Sequence, residues 1–427
     1  LMDRNEELRL IAVGDDDQNI FEFRGSDSKY MRFLAEGPGG RFIEMTQNYR
    51  SSRDIVKFAN AFAQRIGNRL KKTPIEAVSG DKGNVEVVLH TSDVLFEPLV
   101  NHLMRLIGEG GTSCVLTQTN EEAAMILAML TERGVKARLV QSLDGFRFTK
   151  LAEVKYLFKE LRKKMTLSGG KMLPVIQDEV WNAARDNLKR VYARSSCLPY
   201  VLNFMSKFER TTKEKYWTDF LEFAYESSLE DFSDFTGADV VISTIHKSKG
   251  YEFDNVYMLV KKGYQQDDAQ MRKYYVGMTR AKKGLFIHTN SDIFSGLDGC
   301  RYFTDKSVYS MPEEIVLQLT HKDVFLDFFK TRKKEILSMR SGDSLAFFEN
   351  RLYHIGEHDE RGFCVAMLSV SMKEKLNLWR EKGYEVVAAS VRFVVAWKAK
   401  DAQPDEPESA IILPDLKLRR IEQQNST

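Results

Sequence analysis

The 427-residue chain has few cysteines, no long apolar run and almost no excess charge. Cys114, Cys197, Cys300 and Cys364 lie far apart and form no C-x-x-C pair. That spacing argues against a zinc site or a disulfide framework and for a reducing compartment, the cytoplasm. No apolar stretch reaches the ~20 residues that a bilayer-spanning helix needs, so no membrane partner is expected. The opening Leu1-Met2-Asp3-Arg4-Asn5 is not expected to be a signal peptide. Lys and Arg number 63 against 61 Asp and Glu, a net charge of +2. A uniformly basic surface is thereby excluded, and nucleic-acid contact would have to come from local patches. A G-x-x-x-x-G-K-[ST] loop, whose backbone would cradle nucleotide phosphates, occurs nowhere.

Hydrophobic residues make up 43% and charged residues 29%, enough for true cores under a soluble surface. At roughly 100–200 residues per domain, two to four domains are expected. Apolar runs ending in turn residues predict strands at Arg9-Leu10-Ile11-Ala12-Val13 and Phe42-Ile43-Glu44-Met45, with a helix from about Asp54 to Arg69 capped by Ser51 or Ser52. Further strands are expected over 83–90, 114–117 and 138–140, with an amphipathic helix from Glu121 to Arg133. The strand pattern resumes at Val240-Val241-Ile242-Ser243, Val256-Tyr257-Met258-Leu259 and Leu285-Phe286-Ile287-His288. This alternation predicts a doubly wound α/β domain. Between its halves lies an aromatic-rich helical stretch, from Phe146 to about Phe235, whose helical spacings point to packing. Its basic run from Lys159 to Lys164 reads as a solvated helix face. Beyond Gly299, His321 to Ser338 looks helical, short strands between Ser344 and Trp397 suggest a small β domain, and 401–427 reads as linker and tail.

Four segments carry chemistry. The most specific is Thr244-Ile245-His246-Lys247-Ser248-Lys249-Gly250-Tyr251-Glu252-Phe253. The others are Tyr274-Tyr275-Val276-Gly277-Met278-Thr279-Arg280-Ala281, Asn48-Tyr49-Arg50-Ser51-Ser52, and Gly14-Asp15-Asp16-Asp17-Gln18 running on to Phe23-Arg24-Gly25. Tyr49 offers a stacking face and Arg50 a bidentate fork for phosphate. Thr244, His246, Lys247 and Ser248 supply donors suited to phosphate oxygens, and Gly250 permits close backbone approach. Taken together and in this order, the segments resemble UvrD/Rep-like superfamily 1 DNA helicases over about residues 10–290.

The resemblance implies a RecA-like doubly wound parallel sheet domain over 76–145 and 236–298, with a helical insertion over 146–235. Residues 1–75 would be the remnant of a preceding RecA-like motor domain. A helical connector over 299–340 would lead to a C-terminal small β-rich domain over 341–400, with linker and tail over 401–427. It implies ATP as substrate, with Mg²⁺ held by residues of the preceding motor part and not by the Asp15–Asp17 acids. Arg280 would be an arginine finger, an element worth roughly 10³–10⁵ in rate. Arg50 and Gln18 would meet the γ-phosphate, Tyr49 the adenine, and Gly250 and Glu252 the nucleotide. Thr244, His246, Lys247 and Ser248 would bind DNA backbone, Phe23 would stack on a base, and Arg24 would couple the two sites. Gln118, where the family often has arginine, keeps at most a DNA-side role. The expected partners are single-stranded DNA, duplex junctions, the preceding motor domain and a protein met through the β-rich domain. The whole would be an ATP-dependent helicase or translocase, with this chain alone inactive as an ATPase. The alternative is a non-catalytic DNA-binding or scaffold module. A chain that opens on Leu and soon enters an apolar segment is expected to be an excised piece of such a motor.

Overall fold

The computed structural model describes residues 9–21, 25–37, 40–108, 110–143, 145–166, 170, 172–355, 361–399, 403 and 405–421. The chain divides into two compact units. Unit 1 comprises residues 1–139 and 237–311, and unit 2 comprises residues 140–236 and 312–427. No described helix is long and apolar enough to cross a membrane.

Unit 1 begins with α1 (Lys29–Glu36), β1 (Gln47–Asn48), α2 (Arg53–Ala63) and β2 (Glu76–Ala77), then β3 (Asn84–His90), α3 (Phe96–Leu106), β4 (Ser113–Thr117), α4 (Asn120–Glu132) and β5 (Ala137–Leu139). Unit 2 then contributes α5 (Ala152–Met165), α6 (Asp178–Val191), α7 (Leu198–Thr211) and α8 (Trp217–Glu226). The chain returns to unit 1 for β6 (Val240–Thr244), β7 (Phe253–Val260), α9 (Asp268–Met278), β8 (Ala281–Thr289) and β9 (Arg301–Asp305). Unit 2 is completed by β10 (Glu314–Gln318), α10 (Asp327–Lys330), α11 (Lys333–Ser338), β11 (Ser344–Phe348), β12 (Arg351–Ile355), β13 (Arg361–Met367), α12 (Val370–Glu381), β14 (Tyr384–Trp397) and β15 (Ser409–Arg420).

The core of unit 1 is a seven-stranded sheet in the order β5-β6-β4-β7-β8-β3-β9, parallel at every pairing. Every residue of β4 and β6 is buried, as a sheet covered on both faces requires. That is why these strands are continuous apolar runs and do not alternate. Helix α4 starts at a reciprocal capping box between Thr119 and Glu122, which satisfies two backbone donors that a helix start leaves orphaned.

Unit 2 has a six-stranded antiparallel sheet in the order β10-β15-β14-β11-β12-β13. Its helices enclose an aromatic core. The Phe204 ring lies 5.1 to 5.4 Å, centroid to centroid, from Phe148, Phe220, Phe223 and Phe232, and Trp181 sits 5.3 Å from Phe220. The helical stretch and the β-rich part are joined directly. Leu151 bridges to Val395, Ser196 N donates to Ser341 O, Arg340 stands over the Tyr192 ring, and Lys150 and Lys155 both pair with Glu408.

The fold departs from the sequence expectations at several places, among them residues 299–340, expected as a helical connector, which carry β9 in the sheet of unit 1 and β10 in the sheet of unit 2. Residues 409–420, read as tail, form the long buried strand β15, in which Ile411, Ile412, Leu413, Leu416 and Leu418 are in the core. Pro414 is tolerated because the β14 register shifts opposite it, between Val391 and Phe393, and the intervening Arg392 turns to Asp415 at 2.7 Å. Residues 321–338 form no single helix, because Val324 bridges to Leu368 and Phe325 N donates to Met367 O. The helix after Ser52 stops at Ala63, short of Arg69. Arg9–Val13 and Phe42–Met45 are not strands. They have no ladder partner among the described residues, and their apolar side chains face outward, Ile11 being 88% and Met45 72% exposed.

Phe204→Ala should destabilise unit 2 by ~3–5 kcal/mol, the usual range for emptying a buried phenylalanine site. Denaturant unfolding measures this, and a loss under ~1 kcal/mol would show that the ring cluster is not the core.

Candidate functional site

The site is built at the amino-terminal edge of β7 and β8, where Glu252 and Arg280 immediately precede the two strands. Phe253 N donates to Arg280 O at 2.9 Å, so the two strand starts are tied together. The 48–52 segment is stapled to the same place. Asn48 Oδ1 accepts from Arg50 N and Ser51 N at 2.9 and 2.8 Å. Ser51 Oγ donates to Ala281 O at 2.7 Å in a buried bond, and Ser52 N donates to Lys282 O at 2.9 Å. Neither serine hydroxyl caps α2, in contrast to the sequence expectation: Ser51 spends its hydroxyl on β8, and Ser52 makes no side-chain cap bond. Gly83 explains the fit of Ser52. It has φ +78°, and a Cβ there would lie 1.9 Å from Ser52 Oγ.

Arg280 is buried. Its Nε donates to Val276 O at 3.1 Å, Nη1 to Tyr251 O at 3.3 Å, and Nη2 to Gln18 Oε1 at 3.0 Å and Thr279 Oγ1 at 3.1 Å. Val276 lies in the last turn of α9, where a cation meets the negative end of the helix dipole. Arg50 Nη2 pairs with Glu252 Oε1 at 2.8 Å, and Nη1 donates to Thr279 O at 3.3 Å. Burial, then the neighbouring positive charge of Arg50, lowers Arg280 to about 10. Lys249 is lowered for the same two reasons, burial first and Arg280 second. Burial alone would raise Glu252, but Arg50 and Lys282 overcome it and hold the carboxyl below its ordinary value. Lys282 Nζ lies 3.2 Å from Glu252 Oε2. Arg50, Lys249, Arg280 and Lys282 thus converge around one glutamate and one glutamine, an arrangement that a bound oxyanion would relieve electrostatically.

Gln18 is oriented from both ends. Its Nε2 donates to Asp15 Oδ2 at 2.7 Å, which turns Oε1 toward Arg280, and Lys249 Nζ donates to Gln18 O at 2.9 Å. The three aspartates before it are occupied. Asp15 pairs with Lys71 at 2.7 Å, Asp16 accepts from Leu70 N at 2.6 Å, and Asp17 takes both arms of the Arg69 fork at 2.8 and 2.7 Å. Their carboxylate atoms lie within 4.8 Å of one another, yet each is spent on anchoring residues 69–71. Tyr49 is 74% exposed, with its hydroxyl donating to Gln47.

The remaining motif residues lie at the end of β6 and just after it. Gly250 has φ +97°, a conformation that favours glycine. Lys247 Nζ donates to Asn120 Oδ1 at 2.8 Å, and the His246 ring lies 6.2 Å from Phe21. Ser248 differs from expectation. It is fully buried, and its hydroxyl donates to Ile245 O at 2.8 Å, so the hydroxyl shapes the turn and is not presented to a phosphate. Thr244 is also buried. Gln118 is buried as well, its Oε1 accepting from Gln270 Nε2 at 3.2 Å, so it is not on a DNA-facing surface. Phe23 and Arg24 lie outside the described residues. Sequence reasoning did not assign Lys249, Lys282 or Asp15 to the site. Lys249 was legible only as part of the motif run, and a lone lysine or aspartate carries no signal of its own.

The pattern of the UvrD-like helicase C-terminal domain family matches residues 43–223 and 159–292, more than half of the chain. YjcD of Bacillus subtilis is 26% identical over 365 residues, covering 66% of this chain and 48% of YjcD. DNA helicase II of Salmonella typhimurium is 29% identical over 159 residues, covering 36% of this chain and 22% of that protein. ATP-dependent DNA helicase Rep of Buchnera aphidicola is 23% identical over 434 residues, covering 78% of this chain and 63% of that protein. The chain therefore spans less than two thirds of each of these relatives.

Arg69→Ala should destabilise unit 1 by ~3–5 kcal/mol, because it removes the bidentate partner of the fully buried Asp17 carboxylate. Chemical denaturation tests this. The double variant Arg69→Ala with Asp17→Asn should recover part of the loss, and no recovery would show that an uncompensated charge is not the cause.

Proposed function

The chain belongs to the UvrD-like helicase family, and on that premise we propose that it forms the γ-phosphate-sensing and DNA-coupling part of an ATP-dependent DNA helicase or translocase. The observation that carries this reading is the convergence of Arg280, Arg50, Gln18 and Glu252 at one strand edge. ATP is the substrate, and its hydrolysis supplies the energy for movement along single-stranded DNA. Arg280, held by three carbonyl-type oxygens, is the arginine finger. Arg50 leaves its Glu252 pairing to reach the same phosphate, and Gln18 reports occupancy through Asp15 and Lys249. Tyr49 offers its exposed ring to adenine, and Gly250 and Glu252 border the nucleotide sugar. Thr244, His246 and Lys247 meet DNA backbone from the end of β6.

The phosphate loop and the Mg²⁺ ligands belong, in this reading, to a preceding motor domain. The outward-facing Leu10, Ile11, Val13, Phe33, Phe42, Ile43 and Met45 support such a partner, since many large apolar side chains exposed within one stretch of chain favour an interaction surface. Nucleotide would then be gripped between two domains whose closing and opening drive stepping. In that arrangement an arginine contributes only when charge develops on the transferring phosphoryl group.

Arg280→Ala in the complete protein should abolish DNA-stimulated ATP hydrolysis while leaving single-stranded DNA binding within a few fold. Retained hydrolysis would sink the role of Arg280. The present chain alone should show no ATPase turnover, because it carries no phosphate loop. DNA binding by the complete protein that no nucleotide alters would favour a non-catalytic binding module instead.

A further inference from the structure

Three of the seven histidines of the chain meet end to end inside unit 1, away from the site above. His102 Nδ1 lies 3.0 Å from His288 Nε2, His288 Nδ1 lies 2.9 Å from His90 Nε2, and His90 Nδ1 lies 3.0 Å from Asp305 Oδ2. At the far end His102 Nε2 faces Glu86 Oε2 at 3.6 Å. All three rings are buried. The row ties α3 to the carboxyl-terminal halves of β3 and β8 and to the end of β9.

Every ring nitrogen in the row faces a neighbour. Four contacts therefore need a proton, but three neutral imidazoles carry only three N–H groups. The distances show where the missing proton falls, because three contacts are at hydrogen-bond length and the one to Glu86 is long. The direction follows from Asp305. Burial opposes its ionisation, yet Ser307 N at 2.9 Å and Tyr309 Oη at 2.7 Å donate to it and hold its carboxyl down at about 2. As a carboxylate it only accepts, so His90 must donate from Nδ1. His90 Nε2 must then accept from His288 Nδ1, and His288 Nε2 from His102 Nδ1.

We propose that His102, His288 and His90 form a proton-ordered row, each neutral and protonated on Nδ1, with its polarity fixed by Asp305 and a single proton-accepting end at His102 Nε2. The charged groups around it are Asp305 and Arg301 on β9, Glu86 on β3 and Arg105 on α3. Glu86 Oε1 is already taken by Arg301 and by Asn84 Nδ2, and Tyr257 and Phe286 wall the His102 ring. Burial lowers all three rings from their ordinary value, and Arg105 adds to this at His102 and His288. On acidification the row takes one proton from solvent at His102 Nε2, which then donates to Glu86. A second proton is opposed by the first. Because the folded values lie below the unfolded one, the contribution of the row to stability is complete above about pH 6.5 and is lost as pH falls below that.

The test is ring-nitrogen NMR of the ¹⁵N-histidine-labelled 427-residue chain at pH 7.5, with H246Q, H321Q, H354Q and H358Q leaving only the row visible. Three Nδ1–H tautomers are expected, titrating below pH 6.5 as one linked transition. An Nε2–H tautomer, a doubly protonated ring at pH 7.5, or three independent transitions near the ordinary value would overturn the proposal. In the same background Asp305→Asn leaves Glu86 as the only carboxylate and should reverse all three rings to Nε2–H, whereas Glu86→Gln should leave them Nδ1–H. If Asp305→Asn fails to fold, the parent and Glu86→Gln spectra still decide.

Discussion

Two short hydrogen bonds carry the geometry of the edge where Arg50, Glu252 and Arg280 meet. Ser51 Oγ to Ala281 O and Ser52 N to Lys282 O clamp a loop onto a strand start 230 residues away. Without them Arg50 would sit on an exposed turn, and its distance from Arg280 would be set by a flexible side chain. With them, both arginines are anchored to the first residues of β8, and their separation becomes a property of the sheet. Strand β8 is fixed in turn by parallel pairing to β7 on one side and β3 on the other, inside the seven-stranded sheet.

Holding several cations at one edge costs free energy, and the surroundings show how the cost is limited. Arg280 is spread over the carbonyls of Val276 and Tyr251 and the amide oxygen of Gln18. Glu252 is shared between Arg50 and Lys282. Asp15 neutralises part of the excess while aligning Gln18. Such a site is satisfied but not saturated. Its internal anion Glu252 holds the cations through side-chain ion pairs, whereas the carbonyls that hold Arg280 are fixed by the backbone. The division separates backbone groups that position the charge from side chains that balance it.

The parallel sheet was legible in the sequence because doubly covered strands are unbroken apolar runs, as at Val115, Leu116, Val240 and Ile242. The motif segments were legible because several unusual residues recur in a fixed order. Lys249, Lys282 and Asp15 were not, since their contribution arises only when distant segments meet. Strand β15 was hidden by Pro414 and Asp415, which read as breakers until the register shift opposite them is known. Arg9–Val13 and Phe42–Met45 misled for the opposite reason: they have strand composition, but a strand also needs an edge to pair with. The Ser248 hydroxyl shows the same limit at one residue, because a motif gives the identity of a donor and not the direction it points.

The strand order of unit 1 has a consequence for how the chain acquires its structure. None of β3, β4 and β5 pairs with another of the three. β3 lies against β8 and β9, β4 against β6 and β7, and β5 against β6. Each partner lies beyond residue 239, on the far side of α5 to α8. The first third of the chain therefore cannot close a single rung of the seven-stranded sheet as it emerges, and each rung made by β3, β4 or β5 must wait for a strand synthesised at least a hundred residues later. Loop-closure entropy is paid before any pairing rewards it, which places unit 1 among slowly folding, high-contact-order architectures. The helices inserted between the two halves bring their own aromatic core and are complete in sequence while those early strands are still unpaired.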